Sequence, residues 1–332
     1  MDWQLGNSTP YAATTTLAAD RDGHDIWLTV VKATFDLAAD GGVSLAAQQM
    51  PIVRAPVFAG DPARSSLLAE SDIDYAKGGV DVLVQGSVQV PNRQPRSELV
   101  VGLEVDGRRK LLQVCGERFW TRRGLAVAAS EPMPFTTLPL AWEHAFGGFD
   151  PLEDGGHDMR NPAGCGHARD PARLLDRPAP QIVYLDEVNH PHPRPAGFGP
   201  VARHWQPRAG WAGTYDQAWQ DDRLPLLPTD FDERFFLAAP ADQQFQQLQP
   251  HALIRLAGMS PWGALSFRVP RLALGIHVRI GREEIYRRPV LRTVLVLPDP
   301  CKLVLTYADA MPCTGAKYRI EGTELIEKRM LQ

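Results

Sequence analysis

Six of the nine histidines fall between positions 144 and 204. They are His144, His157, His167, His190, His192 and His204, with Glu143, Asp150, Glu153, Asp154 and Asp158 among them. Imidazole and carboxylate together are the ligands of zinc and related metals. The spacing works against such a centre. His190-Pro191-His192 sits on a proline-stiffened stretch, and no HExxH pattern occurs. The reading is polar loop decoration, with no metal and no cofactor expected. Glu153-Asp154-Gly155-Gly156-His157-Asp158 has the acids and glycines of a calcium loop, but not its alternating carboxylates. Gly164-Cys165-Gly166-His167 offers a thiol beside a base. Chain neighbours rarely face each other, and catalytic Cys and His are brought together by the fold. Cys165 therefore reads as an ordinary loop thiol. Gly197-Phe198-Gly199-Pro200 lacks the Lys-Ser or Lys-Thr and the following helix of a phosphate loop.

Arginines beside rings and prolines carry more information. Arg118-Phe119-Trp120, Arg160-Asn161-Pro162 and Trp205-Gln206-Pro207-Arg208 pair planar cations with flat partners. Guanidinium stacks on aromatic faces and forks to carboxylates or main-chain carbonyls. Trp, Tyr and Arg dominate binding hot spots, so one reading is a protein-binding surface with Trp205, Arg208, Trp211 and Tyr215 as contacts. The other is a set of buried Arg and Asp residues that hold loops by hydrogen bonds to main chain. Both stay open from sequence.

These residues lie in a stretch, 131–240, crowded with Pro, Gly, Trp, Phe, Arg and Asp. Pro and Gly break periodic structure, yet so many aromatics do not belong to a solvated linker. The expectation is a long ordered loop surface on a regular scaffold. That scaffold reads as β. Val80, Val82, Val84, Val88 and Val90 alternate, as do Leu99 to Val105 and Trp27 to Leu37. The pattern predicts strands packed on one side. Asp106-Gly107 suits a hairpin turn, and Asp40-Gly41-Gly42 another turn. Towards the C-terminus, 265–269, 272–280, 290–297 and 302–307 are further strands. Short helices are expected over 230–236 with Asp230 as cap, over 242–248 and over 323–330. The fold expected is mainly β, with antiparallel, sandwich-like sheets at both ends joined by the Pro/Gly/Trp-rich loops and few short helices. Three regions are delimited: 1–130, 131–240 and 241–332, the last packing with the rest as one unit.

The chain has 332 residues, a net charge of -4 and 44% hydrophobic residues. Nothing in that balance supplies a basic footprint for nucleic acid or an anionic membrane. No apolar run reaches transmembrane length, and Met1 to Asn7 lacks a secretory pattern. A cytoplasmic location is expected. Cys115, Cys165, Cys301 and Cys313 are widely spaced and read as reduced thiols.

From about Asn7 to Pro270 the chain resembles the bacterial type VI secretion effector adaptors, or chaperones, first catalogued as a domain of unknown function. The densest matches are Ala145-Phe146-Gly147-Gly148, Arg160-Asn161-Pro162, Pro195 to Pro200, Trp205 to Arg208, Gly213-Thr214-Tyr215-Asp216, Pro228 to Asp232 and Ala239 to Gln244. Ser65-Ser66-Leu67, Lys77, Asp81 and Gly116 to Trp120 add to them. The resemblance implies a non-catalytic protein that binds a cognate effector, often one with a PAAR spike-tip domain, and helps load it onto the secretion spike. The spike protein itself is a further candidate partner. No catalytic residue comes with the resemblance. Two other readings remain: a metal-dependent hydrolase using His and Asp of the central loops, and a carbohydrate-binding β module.

Overall fold

The computed structural model describes residues 5–150 and 156–327. The N-terminal part supplies β1 (Leu5–Asn7), β2 (Ala12–Ala19), β3 (Asp25–Leu37), β4 (Val43–Leu45) and β5 (Val80–Val84). A hairpin of β6 (Glu98–Val105) and β7 (Arg108–Cys115) follows. Its turn residues Asp106 and Gly107 take φ of 46° and 90°, which a tight hairpin demands. The central stretch contributes β8 (Ile182–Tyr184). The rest of the chain forms β9 (Gln244–Phe245), β10 (Leu253–Ser260), β11 (Gly263–Arg268), β12 (Leu274–Ile280), β13 (Glu283–Arg287), β14 (Val290–Leu297), β15 (Lys302–Pro312) and β16 (Ile320–Glu327). Among the described residues there are two short α-helices, α1 (Arg208–Trp211) and α2 (Gln217–Asp222), so the protein is mainly β with several antiparallel sheets. No described helix is long and apolar enough to cross a membrane.

Strands from both ends of the chain share each large sheet. The seven-stranded sheet has the order β9-β5-β14-β15-β3-β2, with β4 also on β3. β5 and β14 are parallel, with Val82 opposite Val294. The five-stranded sheet runs β8-β7-β6-β10-β11, and the four-stranded sheet β1-β16-β12-β13. Val31, Phe35, Val82, Val101, Leu112, Ile254, Phe267, Ile276 and Leu325 meet in one core built from all three sheets. Alternation in β6, β7, β10 and β11 follows from that arrangement: one face is in the core and the other is open.

β3 and β5 depart from the one-sided expectation. Nearly every residue of both is buried, including Asp81 and Leu83. The outer face of their sheet is roofed by residues 46–78. Lys32 Nζ donates to Asp72 Oδ2 at 2.7 Å, and Val53 N–H donates to the same oxygen at 2.7 Å. Gln49 clasps Thr34 with bonds of 2.8 and 3.0 Å. The valine run also divides. The chain leaves the sheet at Gln85, and Ser87–Gln89 pairs with Thr137–Pro139 instead. Gly86 is the pivot: a Cβ there would lie 2.7 Å from Pro298.

The helix expectations shift in three places. The 230–236 turn is a 3-10 helix, Glu233–Phe236, capped by Asp232. Asp230 is engaged elsewhere, accepting from Thr214 N–H and Oγ1. Residues 242–248 hold only the 3-10 turn Ala241–Gln243 and then β9. The 323–330 stretch is β16 as far as Glu327; its last three residues lie outside those described. Thr323 and Leu325 are both buried, and that two-residue period fits a strand between β1 and β12.

Candidate partner-binding ridge

The central stretch is held by buried side chains rather than by regular structure. Trp205 is fully buried, packed with Trp142, Leu67, Ala145, Val201 and Ala202. The two indoles meet edge to face, with centroids 6.1 Å apart. Such a pair adds to the area each ring buries. Trp142 Nε1 donates to Pro200 O at 2.9 Å, and Trp205 Nε1 to His204 Nε2 at 3.0 Å. Asn161, also buried, donates through Nδ2 to Trp142 O and Phe146 O. The segments 145–148 and 160–166 lie side by side here, with Phe146 opposite Cys165 in a parallel pair. A Cβ on Gly147 would lie 2.2 Å from Asn161 O, and one on Gly148 2.3 Å from Gly164 O. Their glycines are therefore demanded by packing.

Arg208 opens α1 and is 1% exposed. Its guanidinium donates to Glu70 Oε2 at 2.7 Å, to Val201 O at 2.6 Å and to Phe235 O at 2.9 and 2.7 Å. Three segments are tied at one planar group, a use that Lys does not match. Burial works to raise the Glu70 carboxyl, but Arg208 and Arg203 outweigh it and hold it below the usual carboxylate range. A second knot lies at Lys110. Its buried ammonium donates to Gly197 O, Gln243 Oε1 and Asp242 Oδ1. Desolvation lowers its pKa to about 8, against the pull of Asp242.

Trp205 and Arg208, two of the four residues expected as contacts, thus face inward. Arg208 does what the main-chain-holding alternative describes, bonding Val201 O and Phe235 O, whereas Trp205 holds its loop by packing. Trp211 and Tyr215 are at the surface. Trp211, at the end of α1, is half-buried beneath Arg234, whose guanidinium lies 5.0 Å from the ring. Tyr215 is 50% exposed and meets Trp219 at 4.8 Å in a tilted edge contact. Asp216 caps α2 by accepting from Trp219 N–H. Trp219 Nε1 donates to Leu226 O, and Leu224 beside it is 60% exposed. Gly213, with φ of 85°, brings the chain against Pro228 and Asp230. Arg223 anchors the whole loop on the β2–β3 turn through Asp22 Oδ1 and Arg21 O. The result is a ridge of Trp211, Tyr215, Trp219 and Leu224 presented on a laced loop. Leu224 and Arg234 escaped the sequence reading, because a lone exposed leucine before Pro225 carries no periodic signal.

The histidines scatter. His144 pairs with Gln181, His157 lies against Phe149, His192 against Phe146, and His204 against Trp205. Among the described residues no group of three or more His, Cys, Asp or Glu is placed to hold a metal. Residues 153–155 of the calcium-loop-like stretch lie outside those described. Cys165 is pushed up to about 12 by burial, with Arg118 opposing. That is the reverse of nucleophile activation. The open face of the five-stranded sheet carries a groove of ≈ 520 Å³ floored by Gly102, Ala257 and Ala264 beside Leu111. Its small floor residues gave no signal in the sequence, since alternation marks only the buried face.

No curated protein and no solved structure matches the chain. A family model described as an uncharacterized protein conserved in bacteria (DUF2169) matches residues 22–308. The paired glycine segments, the Arg208 knot and the ridge all fall within that match, and the chain belongs to this bacterial family.

Proposed function

We propose that the protein is a non-catalytic adaptor, or chaperone, that binds a cognate type VI secretion effector bearing a PAAR domain. In this reading it keeps the effector soluble and helps load it onto the spike. The observation that carries the binding role is the ridge: exposed Tyr215 and Leu224 beside half-buried Trp211 and Trp219, on a loop fixed by Asp216, Asp230 and Arg223. Rigid aromatic anchors lose little freedom on binding, so their contact area converts well into affinity. The type VI assignment rests on the order of the loop motifs along the chain.

The test is co-purification from cells that express the cognate effector, with wild type and with Tyr215→Ala. Capture by the wild type and loss in a normally folded variant support the reading. Deleting the gene should lower effector level and secretion. Unchanged effector level, solubility and secretion in the deletion strain would overturn it.

A further inference from the structure

β2 is the outermost strand of the seven-stranded sheet. Its eight residues read Ala-Ala-Thr-Thr-Thr-Leu-Ala-Ala and pair with β3 over their whole length without a bulge. An edge strand presents every second N–H and C=O outwards. Among the described residues, no backbone bond joins β2 to any segment beyond β3. Native sheets protect such an edge with Lys, Pro, a bulge or a covering segment. β2 has no charge, no Pro, no Gly and no bulge. Leu17 and Ala19 are exposed and the other six residues are half-buried. Among the described residues, one side chain from elsewhere, Arg54, hydrogen-bonds to the strand, donating to Thr14 Oγ1, and Ala13 packs against the core.

The sequence of the strand nearly reads the same backwards. Residues whose backbone groups point outwards share one parity, so a two-fold antiparallel pairing must match positions of equal parity. The index sum is then even. A two-fold axis through Thr15 keeps almost the whole strand paired: Thr15 opposite Thr15, Thr14 opposite Thr16, Ala13 opposite Leu17 and Ala12 opposite Ala18. Thr–Thr pairs are favourable across strands, and small Ala pairs meet without a clash. No charge opposes its own copy.

We propose that β2 pairs with β2 of a second copy of this chain, joining two seven-stranded sheets into one continuous sheet across a two-fold axis at Thr15. The occupant is a second copy because the edge is uncharged and complementary to itself. One strand pair buries far less than the roughly 1,600 Å² of a standard interface, so the dimer depends on concentration.

Sedimentation and light scattering of the full chain test this over a dilution series. Twice the chain mass is expected at high concentration and a single chain mass on dilution. Thr15→Lys and Thr15→Glu each place like charges at the axis and should weaken the dimer by at least about tenfold. An equimolar mixture of the two should recover dimer, now a heterodimer. Circular dichroism and melting check that each variant is folded. Thr15→Cys gives a readout that needs no charge: at the axis two such thiols are within disulfide reach, so copper–phenanthroline should link the variant into a dimer and leave wild type unlinked. A wild type with a single chain mass up to about 100 μM overturns the proposal. So does a dimer that ignores both charged variants, or a Thr15→Cys chain that does not cross-link.

Discussion

Arg208 and Glu70 stand 138 residues apart in the chain and meet in a 2.7 Å charge-assisted hydrogen bond, with Arg208 1% exposed. That bond joins the roof of the seven-stranded sheet to the base of the aromatic ridge. Removing one partner leaves a charge in a water-poor place, which costs more than the pair itself contributes. Arg208→Met should therefore lower unfolding free energy by about 3 kcal/mol, read from urea denaturation. A loss below about 0.5 kcal/mol, the range of ordinary surface changes, would contradict the knot.

The same logic separates Trp205 from Tyr215. Trp205→Ala removes a fully buried indole and should cost about 3–5 kcal/mol of stability. Tyr215→Ala removes a ring that is half in solvent, so its melting curve should stay close to wild type. Partner capture should weaken by about 2 kcal/mol or more in Tyr215→Ala if this ring is an anchor. Equal stability losses in the two variants would show that the ridge is part of the core.

Stability should fall in acid. The Glu70 and Asp158 carboxyls, although burial works to raise them, are held below their ordinary values by Arg208 with Arg203 and by Arg160. A depressed folded pKa gives stability that is present above the unfolded value and is lost as pH falls through the folded one. Asp74 works in the opposite sense, because burial raises it. Thermal melts from pH 6 to pH 3, spanning the ordinary carboxylate range, should show a steady decline, shallower in Glu70→Gln. An identical slope in that variant would remove Glu70 from the account.

Cys165 should be slow to react. Burial holds its thiol at about 12, so little thiolate exists at pH 8. Iodoacetamide at pH 8 should modify the native chain at Cys165 at least about tenfold more slowly than the urea-unfolded chain. Fast, selective alkylation of the native chain at Cys165 would revive the nucleophile reading.

Period-two patterns made the strands legible, and Asp106-Gly107 marked its turn, because both signals are local. Two-sided burial of β3 and β5 was not legible. It depends on residues 46–78, whose Glu70 and Asp72 look like loop decoration until their basic partners are in place. Lys110 hid among Arg108 and Arg109, although its parity with buried Leu112 and Val114 placed it on the inner face. The cap moved from Asp230 to Asp232 because two acids compete there and Thr214 recruits the first. Trp205 and Arg208 stand out in the sequence as candidate contacts, yet both are buried, because composition does not distinguish an anchor that points out from one that points in.

The pairing of β5 with β14, and of β3 with β15, sets an order of events during synthesis. The first strands of the central sheet leave the ribosome early, and their partners come from the last fifth of the chain. Until then both strands wait with unmatched edges. Contacts so remote in sequence slow the closing step and leave the nascent chain open to wrong pairings. A stop codon anywhere before β15 would therefore strand the earlier segments without neighbours, and a truncated product is expected to be cleared rather than to survive as a smaller working unit.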